Sequence, residues 1–365
     1  MFGSSAGSPR SAIPPAPSIL HLLDAMAREG FEELVALNDR RSGLRAFIGI
    51  HDTTRGPAFG GIRRWAYRSE REALLDCLRL ARAMTYKCTL ADLNAGGAKV
   101  VLLERPDVDW RAAYGHLGDA VERMGGRFYT GPDVGTGEDE LGWLTARTRY
   151  ATDPGPEGPG ELAASTAEGV FRGIEAALVH LDDDVDWGRR RVVIQGLGAV
   201  GAGLARRLVE HGATVVGADL DGDRAASLSR ELGIEVMEPA RAADQECDVY
   251  SPCALGGSIH DLTLTRLRCR VIAGGANNVL AHGLHGDRLH EREILYAPDF
   301  VINSGALIRG SIFHLEGRRE PVEAIGRRVG ESLAAVLRRA REQDASPARV
   351  AVEEAEERLA EWRGA

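Results

Sequence analysis

The chain has 365 residues, of which 44% are apolar and 27% charged, and its formal net charge is −9. The negative charge argues against non-specific nucleic-acid binding, and no run approaches the roughly 20 apolar residues that a membrane-spanning helix needs. We therefore expect a soluble globular protein of two domains, or one large one, with no nucleic-acid or membrane partner.

The first residues resemble neither a signal peptide nor a packed element. Residues 1–17 are rich in Ser, Gly and Pro and lack a continuous apolar core, so we expect a disordered tail there. The five cysteines are odd in number and form no CxxC pair. Isolated thiols in a reducing cytoplasm are expected, with neither a disulfide framework nor a metal site.

The first predicted elements are a helix over residues 19–29 and a half-buried strand over residues 44–53, where apolar residues recur at every second position. Residues 54–65 follow as a predicted loop that contains the pair Gly60 and Gly61. The glycine pair is therefore expected outside regular secondary structure.

An S-x-x-E capping box at residues 69–72 predicts the start of a helix that runs to about residue 86. Leu80, Met84 and Lys87 are spaced i, i+4, i+7, so they share one face of this helix, with the lysine at its end. A strand, a helix and a strand follow over residues 98–104, 110–124 and 126–135. The first half is therefore predicted to be α/β.

A Pro- and Gly-rich stretch at residues 152–162 interrupts the pattern and is a candidate hinge. Beyond it strands alternate with helices, and from about residue 321 the chain is charged and helical. The strands are predicted over residues 191–196, 213–219, 247–253, 269–275 and 294–303, with a helix over residues 201–212. This alternation predicts a parallel, doubly wound sheet.

Gly196, Gly198 and Gly201 have G-x-G-x-x-G spacing between a predicted strand and a predicted helix, and Asp219 ends the next strand. The combination is typical of a dinucleotide site, where glycines let the backbone approach a pyrophosphate at a helix N-terminus and the acid binds ribose hydroxyls. The alternative is that the glycines only permit close helix–sheet packing.

The acid also indicates which dinucleotide binds. Asp219, with Asp221 nearby, would repel a 2′-phosphate, so NAD is favoured over NADP. Arg224 is close enough in sequence to leave the choice of cofactor open to test.

A second set of residues in the first half suggests chemistry on a small anion. Lys87, Lys99 and Asp133, near the glycines at 60 and 61, combine two cations with an acid beside backbone that can approach closely. Each has an ordinary explanation when taken singly: a solvated lysine at a helix end, a lysine at a strand edge, or a turn residue. Together they suit a small anionic substrate that needs proton transfer.

These residues lie in motifs that resemble the glutamate, leucine, phenylalanine and valine dehydrogenases, and most closely the leucine/valine branch. The motifs are GPAFGGIRRW, RAMTYKCTLADLNAGGAK, GGRFYTGPDVGT, TAEGVFRG, IQGLGAVG, DVYSPCALGG, IAGGANN and LYAPDFVINSG. They occur in order over roughly residues 35–310.

The resemblance implies an α/β fold in which an N-terminal α/β substrate domain and a Rossmann-type, doubly wound dinucleotide-binding domain enclose a cleft. After the tail at 1–17, the substrate and oligomerisation domain would span residues 18–160 and the NAD-binding domain residues 161–320. Helices at 321–365 would return to the first domain.

The resemblance also implies a role for each substrate-site residue. Lys87 and the backbone N–H groups around Gly60 and Gly61 would hold the substrate α-carboxylate. Lys99 would be the catalytic lysine, with a lowered pKa that lets it activate water. Asp133 would shuttle protons to and from the substrate nitrogen.

On the cofactor side, Thr166 would touch the nicotinamide and Asn277 would position the nicotinamide ribose and the substrate. The further implied cofactor residues are Gly196, Gly198, Ala199, Val200, Gly201, Asp219, Cys253 and Ala254. The implied reaction is reversible, NAD-dependent oxidative deamination of an amino acid to a 2-oxo acid and ammonia.

The side-chain pocket is implied to hold Phe59, Met84, Leu307 and Gly310. Phe59 stands where glutamate-specific relatives have a lysine, so apolar substrates of the leucine, valine and isoleucine class are favoured. Gly310 opens room that could instead admit an aromatic side chain such as that of Phe or Trp. Arg309, in a normally neutral place, leaves the charge of the pocket in question.

Two further functions are alternatives. The fold could serve a catalytically silent NAD-binding sensor or scaffold. A 2-hydroxy-acid dehydrogenase is disfavoured because such an enzyme needs a catalytic histidine, and none of His260, His282, His285 and His314 lies in a suitable sequence context.

Because the sequence ends at Ala365 without the tail that joins dimers in octameric leucine dehydrogenases, a homodimer is expected.

Overall fold

The computed structural model describes residues 22–254 and 256–364, which form two β-sheets with flanking helices. The tail predicted at residues 1–17 lies outside the described residues. The predicted first helix is described as Leu22–Glu29.

The first half forms a mixed sheet of five strands. Its elements are α1 (Leu22–Glu29), β1 (Glu33–Asp39), β2 (Leu44–Asp52), β3 (Ala58–Trp65), α2 (Glu70–Leu90), β4 (Gly96–Leu103), α3 (Trp110–Arg123), β5 (Phe128–Pro132) and α4 (Glu138–Thr145). The strand order is β1-β2-β4-β3-β5. β2 is antiparallel to β1 and β4, whereas β3 is parallel to β4 and β5. The predicted α/β character of this half is confirmed.

The second half forms a six-stranded sheet in which every pairing is parallel. Its elements are α5 (Leu162–Asp182), β6 (Arg191–Gln195), α6 (Ala199–Glu210), β7 (Thr214–Ala218), α7 (Gly222–Leu232), β8 (Glu235–Met237), β9 (Glu246–Pro252), α8 (Asp261–Leu264), β10 (Arg268–Ile272), α9 (Leu284–Glu291), β11 (Leu295–Tyr296), α10 (Asp299–Ile302) and α11 (Gly305–Glu316).

The order of this sheet, β11-β10-β9-β6-β7-β8, confirms the doubly wound prediction. The chain runs from β6 outward through β7 and β8, then returns to the other side of β6 with β9. The order therefore reverses between β6 and β9, and open parallel sheets bind ligands beyond the carboxyl ends of the strands at such a switch point.

The predicted loop at residues 54–65 is wrong, because residues 58–65 form β3. The strand lies between β4 and β5, and Ala58 and Ile62 are fully buried there. Glycine weakens a strand, but Gly60 is needed here: a Cβ on it would stand 1.7 Å from the carbonyl oxygen of Ala98. The glycine pair therefore belongs to the sheet and marks a close approach of two strands.

Three other sequence expectations differ from the structure. Of the strand predicted at 294–303, only Leu295–Tyr296 is extended, because Pro298 leads into the short helix α10. The helix predicted to end near residue 86 continues to Leu90, so Lys87 lies in its last turn. β1 and α4 have no predicted counterpart.

Two C-terminal helices, α12 (Val322–Gln343) and α13 (Pro347–Gly364), complete the fold. α12 packs along α5, and α13 packs on α2 of the first half. The Tyr86 hydroxyl donates to the Glu356 carboxylate at 2.7 Å, and the Arg363 guanidinium donates to the buried Asp52 carboxylate at 2.9 Å. The last described helix therefore returns to the first half.

Candidate active site

A cavity of about 320 Å³ is lined by residues from both halves of the chain. Its predicted site residues are Phe59, Gly60, Gly61, Met84, Lys87, Lys99, Asp133, Thr166, Val200, Asn277, Leu307 and Gly310. Leu80 joins Met84 and Lys87 at its wall, as their shared helix face predicts. One compartment thus unites residues more than 200 positions apart in the sequence.

Lys99 lies within β4 and its side chain is buried, so it is not a lysine at an exposed strand edge. Its Nζ is 2.6 Å from Oδ2 of Asp133, which follows β5. Burial by itself would raise the pKa of Asp133, but the charges of Lys99 and Arg63 outweigh it and hold that pKa well below its usual range. Asp133 is therefore a carboxylate anion in this arrangement.

Arg63 is a residue of the site that the sequence did not single out. Its Nε donates to Oδ2 of Asp133 at 3.1 Å, and its Nη1 donates to Oδ2 of Asp76 at 3.3 Å. The Tyr67 hydroxyl donates to the same Asp76 oxygen at 2.7 Å. Asp76 and Tyr67 thus hold the Arg63 guanidinium in place, and the guanidinium in turn positions Asp133.

The Lys87 ammonium spans the cleft between the two sheets. Its Nζ donates to Oδ1 of Asn277 at 2.8 Å and to Oδ1 of Asn303 at 2.6 Å. Removal from bulk water lowers the pKa of Lys87 to about 8; the charge of Lys99 adds to the decrease and that of Asp299 opposes it. Lys87 is thus a cation held by neutral oxygens.

The two glycines of β3 bring three strands together. The pairing of β3 with β4 is recorded at Phe59 and again at Ile62, and the glycines lie between these two positions. A Cβ on Gly61 would stand 2.6 Å from the carbonyl oxygen of Pro132. Any larger residue would therefore displace backbone beside the cavity.

A second cluster surrounds the turn between β6 and α6. Gly196 has φ +100°, and a Cβ on it would stand 2.7 Å from the Ala254 Cβ. A Cβ on Gly201 would stand 1.9 Å from the carbonyl oxygen of Gly196. Gly198 caps α6, which begins at Ala199, without a side-chain hydrogen bond. This tight turn at a helix N-terminus fits a pyrophosphate.

Asp219 follows β7 and its carboxylate faces the same turn. Oδ2 accepts a hydrogen bond from Leu197 N at 2.6 Å, and Oδ1 accepts one from Asp221 N at 2.8 Å. The Arg224 Nη1 is 3.3 Å from both oxygens, and Arg224 also pairs with Asp221. These are four accepted hydrogen bonds, about as many as a carboxylate has acceptor sites, so ribose hydroxyls would take the place of the Arg224 contacts.

The other predicted cofactor residues connect the turn to the cavity. The Thr166 hydroxyl accepts from Ala306 N at 3.1 Å and lines the cavity. Cys253 Sγ accepts from Gly275 N at 3.3 Å, and a Cβ on Gly275 would stand 2.6 Å from Val200 Cγ1. The residues assigned to the dinucleotide thus form a continuous path that leads to the lysines.

The apolar side of the cavity is formed by three rings, Phe59, Tyr129 and His314, which we call the aromatic wall. The Phe59 and Tyr129 rings stack at 5.1 Å, within 7° of parallel, and the His314 ring is 5.0 Å from Tyr129. No lysine or arginine belongs to this wall, which suits an apolar substrate side chain.

Arg309 does not contribute charge to the cavity. It is buried on α11 and does not line the cavity, although Leu307 and Gly310 of the same helix do. Its guanidinium donates to the carbonyl oxygens of Pro159, Gly160 and Glu320 and to the Glu161 carboxylate. Arg309 therefore adds no positive charge to the lining of the side-chain pocket.

Several residues that line the cavity were not predicted from the sequence, among them Arg63, Tyr129, Asn303 and His314. The first three lie inside the quoted motifs, but only the fold shows what they touch.

Within the described ranges no cluster of three or more His, Cys, Asp or Glu side chains could hold a metal ion. Among the same residues, no helix has the length and apolar character to cross a membrane.

Comparison with known proteins places the chain in a family. The profile described as Glu/Leu/Phe/Val dehydrogenase, dimerisation domain, matches residues 33–150, and that described as Glutamate/Leucine/Phenylalanine/Valine dehydrogenase matches residues 220–315. The leucine dehydrogenase of Thermoactinomyces intermedius is 41% identical over 292 residues, 79% of this chain and 80% of that protein.

Two relatives match over almost the whole length. The valine dehydrogenase of Streptomyces albus is 38% identical and covers 94% of this chain and 96% of its own. The crystal structure of L-tryptophan dehydrogenase from Nostoc punctiforme superposes with a TM-score of 0.81 at 34% identity, over 94% of this chain and 100% of that one.

Fold, site and comparisons together define an amino-acid dehydrogenase. The chain belongs to the Glu/Leu/Phe/Val dehydrogenase family, as the ordered motifs predicted.

Proposed function

We propose that the protein catalyses reversible, NAD-dependent oxidative deamination of an L-amino acid with an apolar side chain. The observation that carries this proposal is the buried Lys99–Asp133 pair beside Lys87, in a cavity whose other side is the aromatic wall. An α-amino acid needs a cation for its carboxylate, groups that exchange protons near its nitrogen, and an apolar surface for its side chain.

Lys87 and the backbone around Gly60 and Gly61 are proposed to hold the α-carboxylate. Among the described residues, the ammonium donates hydrogen bonds to the amide oxygens of Asn277 and Asn303. A carboxylate is the stronger acceptor for an ammonium group, so binding would strengthen the contacts of Lys87.

Lys99 and Asp133 are proposed to move the protons. In its neutral form Lys99 would accept a proton from the water that attacks the imino carbon, and the Asp133 carboxylate would exchange protons with the substrate nitrogen. NAD, when bound, accepts the hydride that leaves the α-carbon. Amino acid, NAD⁺ and water become 2-oxo acid, ammonium, NADH and one proton.

The NAD site is proposed at the β6–α6 turn, with Asp219 on the adenosine ribose. Support comes from the tight turn at a helix N-terminus and from the position of the Asp219 carboxylate, which accepts a hydrogen bond from Leu197 N within that turn. Asp219→Ser should relax the preference for NAD, because it removes the negative charge that a 2′-phosphate would meet. Better use of NADP than of NAD by the unmutated enzyme would refute the assignment.

The substrate is proposed to be apolar because Phe59 stands in the aromatic wall, where an unpaired side-chain carboxylate would be costly to desolvate. The sequence favours leucine, valine and isoleucine. An aromatic substrate is the second candidate, since a Cβ on Gly310 would have no heavy atom within 4 Å and the cavity is therefore open there.

We also propose a homodimer, formed through a domain at residues 18–160, with NAD bound by residues 161–320 and helices at 321–365 returning to the first domain. The match of residues 33–150 to a dimerisation domain supports this. Light scattering at micromolar concentration should give the mass of two chains, and an octameric mass would contradict it. The five free thiols suit a reducing cytoplasm as its location.

Ammonia dependence is the test of the proposed reaction. Purified enzyme should oxidise NADH with an apolar 2-oxo acid only when ammonia is present. A 2-hydroxy-acid dehydrogenase would not require ammonia, and a silent scaffold would bind NADH without turnover. Glutamate and D-amino acids serve as negative controls in the deamination direction.

A further inference from the structure

The aromatic wall contains a polar ring that an aliphatic substrate would not use. His314 lies on α11, and its ring is 5.0 Å from Tyr129 and 6.2 Å from Phe59. Leucine or valine would need only apolar surface at this place. A histidine there calls for a substrate feature that an apolar residue could not recognise.

The imidazole has an unused hydrogen-bonding atom. His314 Nε2 is buried and has no hydrogen-bond partner among the described residues. Burial also lowers the pKa of His314, so the ring is neutral at physiological pH and can accept or donate one hydrogen bond at each nitrogen. A buried polar atom without a partner is costly unless a ligand supplies that partner.

Space is available beside this ring. Leu307, Gly310 and His314 are spaced i, i+3, i+7 on α11, so they share one helix face, and all three line the cavity. Apart from the backbone of its own helix and its chain neighbours, no heavy atom of the described residues lies within 4 Å of the place a Cβ on Gly310 would take. The cavity is therefore open one helical turn before His314, where a branched aliphatic side chain would leave a void.

We propose that the side-chain pocket recognises an aromatic L-amino acid whose ring carries an N–H or O–H group, an indole or a phenol, through a hydrogen bond to His314. The ring would lie against Phe59 and Tyr129 and occupy the space left by Gly310. This inference rests on the proposed function and selects its substrate class.

Each competing substrate leaves part of the pocket unused. Phenylalanine would fill the space at Gly310 but leave His314 without its partner. Leucine and valine would leave both the space and the imidazole unused. Since buried groups left unpaired discriminate strongly against the analogue that lacks the partner, His314 is the residue that sets the choice among ring substrates.

The test compares kcat/KM for L-tryptophan, L-tyrosine, L-phenylalanine and L-leucine in the wild type and in two substitutions at His314. The better of tryptophan and tyrosine should exceed phenylalanine by about tenfold or more, the range expected when a buried polar group is left unpaired. His314→Phe keeps a ring and removes the nitrogens, so this ratio should fall to near one. His314→Gln restores an acceptor and a donor and should recover part of it.

Two further variants separate the hydrogen bond from space and from general damage. Gly310→Val fills the opening, so it should lower kcat/KM for all three ring substrates relative to leucine. His290→Phe alters a surface histidine on α9, outside the cavity, and should leave every ratio unchanged. NADH binding, followed by its fluorescence, should remain in all variants and shows that each is folded.

The outcomes distinguish the two proposals. Leucine turned over faster than every ring substrate, with normal ammonia dependence, would overturn the role of His314 and leave the deamination proposal intact. A tryptophan-to-phenylalanine ratio that survives His314→Phe would also overturn it, because the nitrogens would then have no part. If no amino acid of any class is turned over with NAD, the proposed function itself fails.

Discussion

The two sides of the cavity are built on different principles. On one side, Lys99, Asp133 and Arg63 form a charged cluster in which each group has a partner, and Asp76 and Tyr67 support it from behind. On the other, the aromatic wall is held by ring stacking, and the His314 Nε2 has no hydrogen-bond partner within the described part of the chain.

We therefore expect the charged cluster to set the turnover rate and the aromatic wall to set the choice of substrate. The paired cluster holds in place the groups proposed to move protons, whereas the aromatic wall offers the apolar surface proposed for the substrate side chain. An open wall with one unpartnered atom can discriminate side chains without altering the proton groups. Changes in the charged cluster should therefore alter turnover without changing the order of preference among substrates.

The largest effect is expected at Lys99. Lys99→Ala removes the group proposed to activate water while Lys87 still holds the carboxylate, so turnover should fall by about 10²–10⁴-fold. Steady-state kinetics and NADH titration would measure this, with NADH affinity near the wild-type value. Retention of more than about a tenth of wild-type turnover would leave Lys99 a structural lysine.

Asp133→Asn should reduce turnover by about 10²-fold, at the lower end of the range for a lost acid–base group. The amide keeps the shape of the carboxylate but cannot exchange protons, so KM should change much less than kcat. The relative kcat/KM values of leucine and the ring substrates should stay as in the wild type. If this variant reversed the order of substrate preference, the charged cluster would also take part in substrate selection.

Arg63→Gln should act through Asp133. Loss of one of its two cations raises the pKa of Asp133, so the acidic limb of the kcat/KM profile should move to higher pH, with about a tenfold loss per pH unit on that limb. Arg64→Gln is the matched control: Arg64 has similar exposure, 19% against 15%, but pairs with Glu140 and Glu104. Equal shifts in both variants would exclude a positioning role for Arg63.

The smallest expected effect is a difference, in the wild type, between the pH dependence of kcat and that of kcat/KM. The Lys87 ammonium is present below its pKa of about 8 and is lost as the pH rises through it, so kcat/KM for the amino acid should level or fall above about pH 8. Because a bound carboxylate retains the proton on Lys87, kcat should not fall over the same pH range. If kcat/KM rose in parallel with kcat to pH 10, the pKa of Lys87 would not control binding.

The charged cluster was largely predictable from the sequence and the aromatic wall only in part. Lys87, Lys99 and Asp133 stand in ordered motifs, and the chemistry of a lysine beside glycines suggests a role for it. Phe59 could be placed by its position before the glycine pair. His314 carries no local signal, because its meaning depends on Tyr129, which reaches it from another strand.

The errors in the predicted fold also arise where the role of a residue depends on a neighbour that is distant in sequence. β3 was predicted to be a loop because two glycines are a turn signal locally, and only the carbonyl of Ala98 on the neighbouring strand explains why glycine is required. The alternation of strands and helices predicted the parallel sheet, and β6, β7, β9 and β10 each overlap a predicted strand. β8 had no predicted counterpart, because two of its three residues are exposed and it contains no apolar run.

Arg309 has a consequence for the architecture as a whole. Its guanidinium holds carbonyl oxygens of Pro159 and Gly160 together with that of Glu320, so the segment that leads into α5 and the segment that leads into α12 meet at one point. α5 and α12 then pack along each other. A single buried side chain therefore ties together the starts of two helices that are about 160 residues apart in the chain.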